Sequence, residues 1–359
     1  MASEDAPTKT ISDFEATLTK ADTVVASFEK DDKTLVHKLR NFLRRNPTMI
    51  PALVLILSIL VFGLIQPRFL GVGALSTVLK QVTVTGFIAL AQTLIILTAG
   101  IDLSVGAILV VSSLVMANLA VFSGVPVIIA VLIGIALGGV MGAVNGLLVT
   151  MMRLPPFIVT LGTLSVFESL KLWYSQSESV RNVDIEANAP SLLFFGQGFN
   201  ISGASVSYGG ITLILLAALL WYVLNHTAWG RHVHAIGDDP DAALLSGINV
   251  NRTLVSVYTV AGLICGFAAW IAIGRVGSVS PIAFQDVNLA SITAVVIGGT
   301  SLFGGCGSII GSVLGAMIVG VFITGLSLAG VDDYWQKFAA GCLVIIAVAL
   351  DQWLRRASQ

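Results

Sequence analysis

From residue 48 onward, long apolar runs alternate with short polar or glycine-rich interruptions. A hydrocarbon core about 30 Å thick is crossed by roughly 20 apolar residues in a helix. On that measure the pattern predicts ten helices, at 48–66, 81–99, 103–122, 125–152, 155–173, 209–226, 252–274, 289–303, 305–330 and 334–354. Pro67 bounds the first, and Pro155 with Pro156 suits the start of the fifth. Two longer polar stretches, 174–208 and 227–251, separate the fifth, sixth and seventh. The second and third helices meet at a break around Asp102, flanked by Gly100 and Gly106, and the eighth and ninth meet at a second glycine-rich break. Gly100–Gly106 echoes Gly299–Gly305 in spacing, as in a parallel internal repeat with both breaks on one face of the membrane.

Between residues 81 and 152 Asp102 is the only acidic or basic side chain. A charge at that depth is costly and needs a partner, a wet cavity or a helix end. Two readings stand side by side. Asp102 can cap the third helix with help from Ser104, or its oxygens can line a route for a polyol or hold a gate. Asn118, Asn145 and Glu168, also in or near the spans, are each explained by an interhelical hydrogen bond of about 1 kcal/mol. Two glycine ladders, Gly134/Gly138/Gly142/Gly146 in the fourth helix and Gly307/Gly311/Gly315 in the ninth, predict close backbone packing.

Composition sharpens this picture. Of 359 residues 56% are hydrophobic and 11% charged, with mean hydropathy +0.93, whereas soluble domains carry about 25% charged residues. A soluble fold is excluded, and so is a nucleic-acid surface, since no basic stripe exists. Cys265, Cys306 and Cys342 fall in apolar stretches and read as small hydrophobes. Residues 1–46 form a polar tail ending in Lys38, Arg40, Arg44 and Arg45. Its Ile11, Phe14, Leu18, Val25 and Phe28 recur at helical spacing and Ser12 with Glu15 fits a capping box, so the tail is either an amphipathic surface helix or a solvated arm. With the amino terminus inside, the inner face gains most of the basic residues, including Arg153, Arg231, Arg252, Arg355 and Arg356. Both termini are therefore expected in the cytoplasm, with 47–354 as the membrane domain and 355–359 as a short inner end.

The loop 227–251 carries the most specific local signal. Asp239 is a good N-cap, Pro240 suits the first helical position, Asp241 suits the positive helix end and Gly247 suits the left-handed stop. So short a helix is marginal alone and has to dock, with Ala243, Leu244 and Ile248 as its apolar face, on its own spans or on a partner. His232 and His234, two apart, do not share a helix face and have no evident third ligand, so they make a weak metal site. There is no Gly-Lys pair for a phosphate loop, no Gly-x-Ser-x-Gly elbow and no His-Glu-x-x-His helix.

Four segments, 98–106 (TAGIDLSVG), 154–163 (LPPFIVTLGT), 235–248 (AIGDDPDAALLSGI) and 296–305 (VIGGTSLFGG), together resemble the permease subunits of bacterial ABC sugar importers, in the ribose/xylose/galactoside branch and nearest its fructose-type members. The similarity spans about 47–354; the tail before Arg45 is longer than the family pattern. The resemblance implies an all-α polytopic homodimer in the bacterial inner membrane that catalyses no reaction itself. A cytoplasmic ATPase carrying ATP and Mg²⁺ would serve its inner face and a periplasmic sugar-binding protein its outer face, with no cofactor on this chain. It also implies that Asp239, Pro240, Asp241, Ala242, Ala243, Leu244, Leu245, Ser246 and Gly247 form the coupling helix. Asp102, Ser104, Asn145, Phe157 and Thr160 are candidate residues of the translocation pathway. The alternative is an ion-coupled secondary sugar carrier with Asp102 as its proton site, against which its isolation counts, because proton relays use several ionisable groups.

Overall fold

The computed structural model describes residues 48–201 and 204–356; the helical spacing, capping box and basic cluster of the amino-terminal tail lie outside them. Residues 1–46 and 47–359 form separate units, and the account below concerns the second.

Each predicted apolar run is helical at its centre, and the differences lie at the edges. Helix α1 (Met49–Ile65) stops before Pro67, which disfavours helical backbone in the residue it follows. A 3₁₀ turn, Pro67–Leu70, leads into α2 (Val72–Leu97), which begins well before residue 81. Lys80 lies inside the helix, where a lone lysine can bury its stem and carry its charge outward. Then come α3 (Val105–Val121), α4 (Val127–Met152) and α5 (Pro156–Ser175).

The polar stretch that follows carries short elements. It holds α6 (Asn182–Asn188), a 3₁₀ segment Pro190–Gly196 and an antiparallel hairpin of β1 (Gly198–Ile201) and β2 (Ala204–Ser207), with Gly198 opposite Ser207. The hairpin corrects the all-α expectation in this one place. Its apolar/polar alternation is a strand signal too short to weigh alone. A bridge between Val180 and Val279 and a bond from Ser205 N to Ser76 Oγ (2.9 Å) pin the segment to the bundle.

Helix α7 (Tyr208–His226) leads into a loop with two helices, where one was expected: α8 (Ala228–Asp238) and α9 (Pro240–Leu245). Helices α10 (Val250–Val276), α11 (Val287–Ile297), α12 (Ile309–Leu328) and α13 (Asp333–Arg356) complete the chain. The second break is wider than expected, 298–308, so Gly307 precedes α12 and is not part of its ladder.

Among the described helices, α2, α4, α7, α10 and α12 are long and apolar enough to cross a bilayer; α1, α3 and α11 are apolar but shorter. Helix α1 exposes Leu57, Leu60 and Leu64, an outward apolar face that suits lipid. The centre is α2, whose second half is buried almost throughout, against α10, α11 and α12. Helices α4 and α10 run in backbone contact: a Cβ on Gly142 would stand 2.2 Å from Tyr258 O, and one on Gly262 would stand 2.2 Å from Gly138 O. Only glycine fits, and in lipid such contact supplies the dispersion that holds helices together.

Candidate functional site

The two breaks begin alike. Helix α2 ends with Ala99 in the left-handed region (φ +59°); Ala99 N donates to Ile96 O (2.9 Å) and Gly100 N to Ile95 O (3.1 Å). Helix α11 ends with Gly299 (φ +84°); Gly299 N donates to Val296 O (2.9 Å) and Thr300 N to Val295 O (3.1 Å). Both are Schellman stops. The repeat therefore pairs Ala99 with Gly299, one residue away from the pairing of Gly100 with Gly299 read from spacing.

After the first stop the chain is held by side chains. Asp102, buried, accepts through Oδ1 from Ser104 N (2.6 Å) and Ser104 Oγ (2.7 Å), and through Oδ2 from Asn145 Nδ2 (3.1 Å). Asn145 Nδ2 also donates to Ser104 Oγ (2.8 Å). Thr160 Oγ1 donates to Ile101 O (3.0 Å), and the Gln92 amide brackets the Asp102 backbone at 3.2 Å on both sides.

The cap expected of Asp102 is not formed. Ser104 occupies the N-cap position, and Asp102 makes a local turn with the residue two ahead. The first turn of α3 instead finds its acceptor on α11, where Asn288 Oδ1 receives Gly106 N (2.7 Å).

Four of the five candidate pathway residues, Asp102, Ser104, Asn145 and Thr160, thus meet in one buried cluster, while the Phe157 side chain is exposed apart from them. Asn145 Oδ1 in that cluster has no hydrogen-bond partner among the described residues. Two cavities of about 600 and 800 Å³ lie elsewhere, lined by Phe194 and Trp270 in one and by Leu147 and Arg252 in the other. Glu168 pairs with Lys171 on its own helix and not across helices, because Lys171 is buried and one turn away. The Asn118 side chain makes no hydrogen bond among the described residues, so the bond expected of it is not formed.

The loop helix forms as its sequence dictates. Asp239 Oδ1 accepts from Asp241 N (2.9 Å) and Ala242 N (3.0 Å), Pro240 takes the first position, and Gly247 (φ +84°) closes the end. Of residues 239–247 only Ala243 is buried. Leu244 is 61% and Leu245 89% exposed, so the apolar face turned outward is Leu244 with Leu245, whereas Ala243 packs inward and Ile248 is half-buried. One side of the helix rests on its own chain, and the other presents two leucines outward.

Helix α8 joins α9 to the breaks. Thr227 Oγ1 caps it by accepting from Gly230 N (3.2 Å), and Val233 and Ile236 are buried on one face. Gly237 lies against the first break, where an added Cβ would stand 1.7 Å from Leu97 O. His234 Nδ1 meets Gly305 O at 2.9 Å, and Gly305 N donates to Leu97 O (3.1 Å). Both breaks and the loop therefore converge, and His234 bonds to backbone.

Sequence reasoning missed α8, Gln92, Asn288 and the Gly262/Gly266 face of α10. The Thr227 cap with Val233 and Ile236 at helical spacing, and glycines four apart in α10, were the available signals.

Comparison with known proteins bears on the role of this arrangement. Residues 74–348 match the family described as branched-chain amino acid transport system / permease component. The fructose import permease protein FrcC of Rhizobium meliloti is 52% identical over 345 residues, covering 96% of each chain. The ribose import permease protein RbsC of Bacillus subtilis is 39% identical over 302 residues, covering 84% of this chain and 92% of its own. RbsC of Escherichia coli K12 is 36% identical over 299 residues, covering 83% and 92%. No solved structure matches.

Proposed function

The chain belongs to the branched-chain amino acid transport system / permease component family, a membrane permease and not an enzyme, and from that premise we propose that it is the transmembrane subunit of an ATP-driven, binding-protein-dependent importer of fructose or a closely related monosaccharide. The cargo follows the relatives, which are import permeases for fructose and ribose. In this reading ten helices, α1–α5, α7 and α10–α13, cross the bacterial inner membrane with both termini in the cytoplasm. Residues 174–208 face the periplasm, where the sugar-binding protein delivers its cargo, and 227–251 face the cytoplasm. Two copies pair, and a separate ATPase subunit holds ATP and Mg²⁺; this chain binds no cofactor.

One observation carries the coupling role. Helix α9 is capped at both ends by its own chain yet presents Leu244 and Leu245 to the outside. Exposed leucines on a polar loop are what an apolar pocket on a partner would cover. Motion of the ATPase would enter through α9 and rock the bundle between outward-open and inward-open states. The Asp102 cluster, closed to both cavities, then corresponds to a sealed route. The ion-coupled alternative draws no support, since the named relatives are import permeases and both Asp102 oxygens are occupied by structural hydrogen bonds.

Leu244→Asp tests the reading. Burying an unpaired carboxylate costs several kcal/mol, so the variant should insert and dimerise normally but lose at least about tenfold of its co-purifying ATPase. Sugar-stimulated ATP hydrolysis in vesicles should fall with it, while the loaded binding protein still docks outside. Normal assembly and normal stimulated hydrolysis would return α9 to a helix that merely rests on its own spans.

A further inference from the structure

We propose that α8 is the rigid link through which α9 drives both helix breaks at once, and that His234 is the positioning residue of that link. The inference rests on the importer reading above and adds to it the path by which motion enters the bundle.

The path is short and has no slack. Helix α8 ends at Asp238 and α9 begins at Pro240, so a single residue joins them. At its other side α8 touches the breaks through backbone, with the His234 side chain as a further contact. An added Cβ on Gly237 would stand 1.7 Å from Leu97 O and 2.5 Å from Gly305 N. One on Gly304 (φ +87°) would stand 2.5 Å from Gly237 O and 2.8 Å from Ala99 N. Side chains can change rotamer to absorb a small displacement, but peptide groups in van der Waals contact cannot, and such packing transmits strain. A shift of α9 is therefore a shift of both breaks.

Gly305 is the junction. Its N–H donates to Leu97 O of the first break, and its carbonyl meets His234 Nδ1 of α8 at 2.9 Å. A carbonyl only accepts, so His234 carries a proton on Nδ1 and donates it. One residue thus holds the end of α2 through its N–H and the coupling loop through its carbonyl. From the first break the connection continues through Ile101 O to Thr160 on α5, and through Asp102 to Asn145 on α4. His234, half-buried beneath α8, is not part of the leucine face of α9. This gives a role to a histidine that the sequence singled out and that metal binding does not explain.

The geometry supplies its own control. An asparagine places its amide nitrogen on Cγ, where Nδ1 stands in histidine, whereas a glutamine places it one bond further out. The assay is the intact complex of permease, ATPase and binding protein in vesicles, reading labelled fructose taken up per ATP hydrolysed. His234→Asn should stay within about threefold of wild type, and His234→Gln and His234→Ala should each lose about tenfold, as expected for one partly buried hydrogen bond that matters to the moving state. Gly237→Ala should show the same loss, because its methyl must displace Leu97 O. In all four the ATPase should co-purify at the wild-type level. Unchanged uptake per ATP in the glutamine and alanine proteins would overturn the proposal. So would an asparagine variant as poor as glutamine, or release of the ATPase by any His234 variant, which would make α8 part of the docking surface. Should the importer reading itself be wrong, wild-type vesicles would show no ATP-dependent uptake, a failure separate from these.

Discussion

Two interruptions of the bundle start from the same helix stop and are then held in different ways. The break 98–104 is held by side chains: Asp102, Ser104, Asn145, Thr160 and Gln92 tie its backbone to α2, α4 and α5. The break 298–308 is held mainly by its own backbone, with Gly304 and Gly305 in left-handed conformations against Gly237, Ala99 and Leu97. The difference shows in the stop itself, where the first break places alanine in a left-handed position that the second gives to glycine. Polar side chains fix one conformation by demanding partners, and glycine contacts fix one by leaving no room. A moving part built from both can change its hydrogen bonds on one side while remaining in hard contact on the other.

The comparison breaks most severely at Asp102. Asp102→Leu would leave Ser104 N and Ser104 Oγ buried without their acceptor and would take one of two acceptors from Asn145 Nδ2, destabilising the folded bundle by about 3 kcal/mol. Unfolding in detergent should show this as a lower midpoint, whereas Asp102→Asn, which keeps one acceptor oxygen, should lose only about a third as much. If leucine is tolerated, the first break is held by something other than its polar cluster.

On the second break the corresponding change is an addition. Gly304→Ala places a methyl 2.5 Å from Gly237 O at φ +87°, and strain with overpacking should remove about 2 kcal/mol. The same unfolding measurement checks it. A neutral outcome would mean that the breaks are not in hard contact.

The smallest effect sharpens the comparison. Ala99→Gly makes the first stop resemble the second, relieving left-handed strain but adding chain entropy to the unfolded state, for a net gain of roughly a few tenths of a kcal/mol. A thermal midpoint that falls instead of rising would show that the Ala99 methyl is itself a needed contact.

What was legible in the sequence divides by range. The apolar runs marked every long helix, because lipid imposes one requirement over a whole span. Helix α9 was legible to the residue, since Asp239, Pro240 and Gly247 act on their immediate neighbours. Asp102 was noticed, but the cap expected of it was not formed: what it binds depends on Asn145 in a different helix, and the acceptor for the first turn of α3 is Asn288, far along the chain. Helix α8 was hidden because it packs on breaks that the sequence places far away on either side. The hairpin at 198–207 was hidden because each strand is only four residues long.

The glycine contact between α4 and α10 also carries a consequence for how the chain is made. The two helices meet backbone to backbone, yet Met152 ends one and Val250 begins the other. At about 5–20 residues per second, a ribosome needs roughly 5–20 s to deliver the second after the first. During that interval α4 sits in the bilayer with its partner unborn. What it presents meanwhile is a shallow furrow of glycines that lipid tails fill at little penalty, and neither a sticky patch nor an unpaired charge. A contact as close as this one can therefore wait for its partner, because its surface attracts nothing until the matching helix arrives.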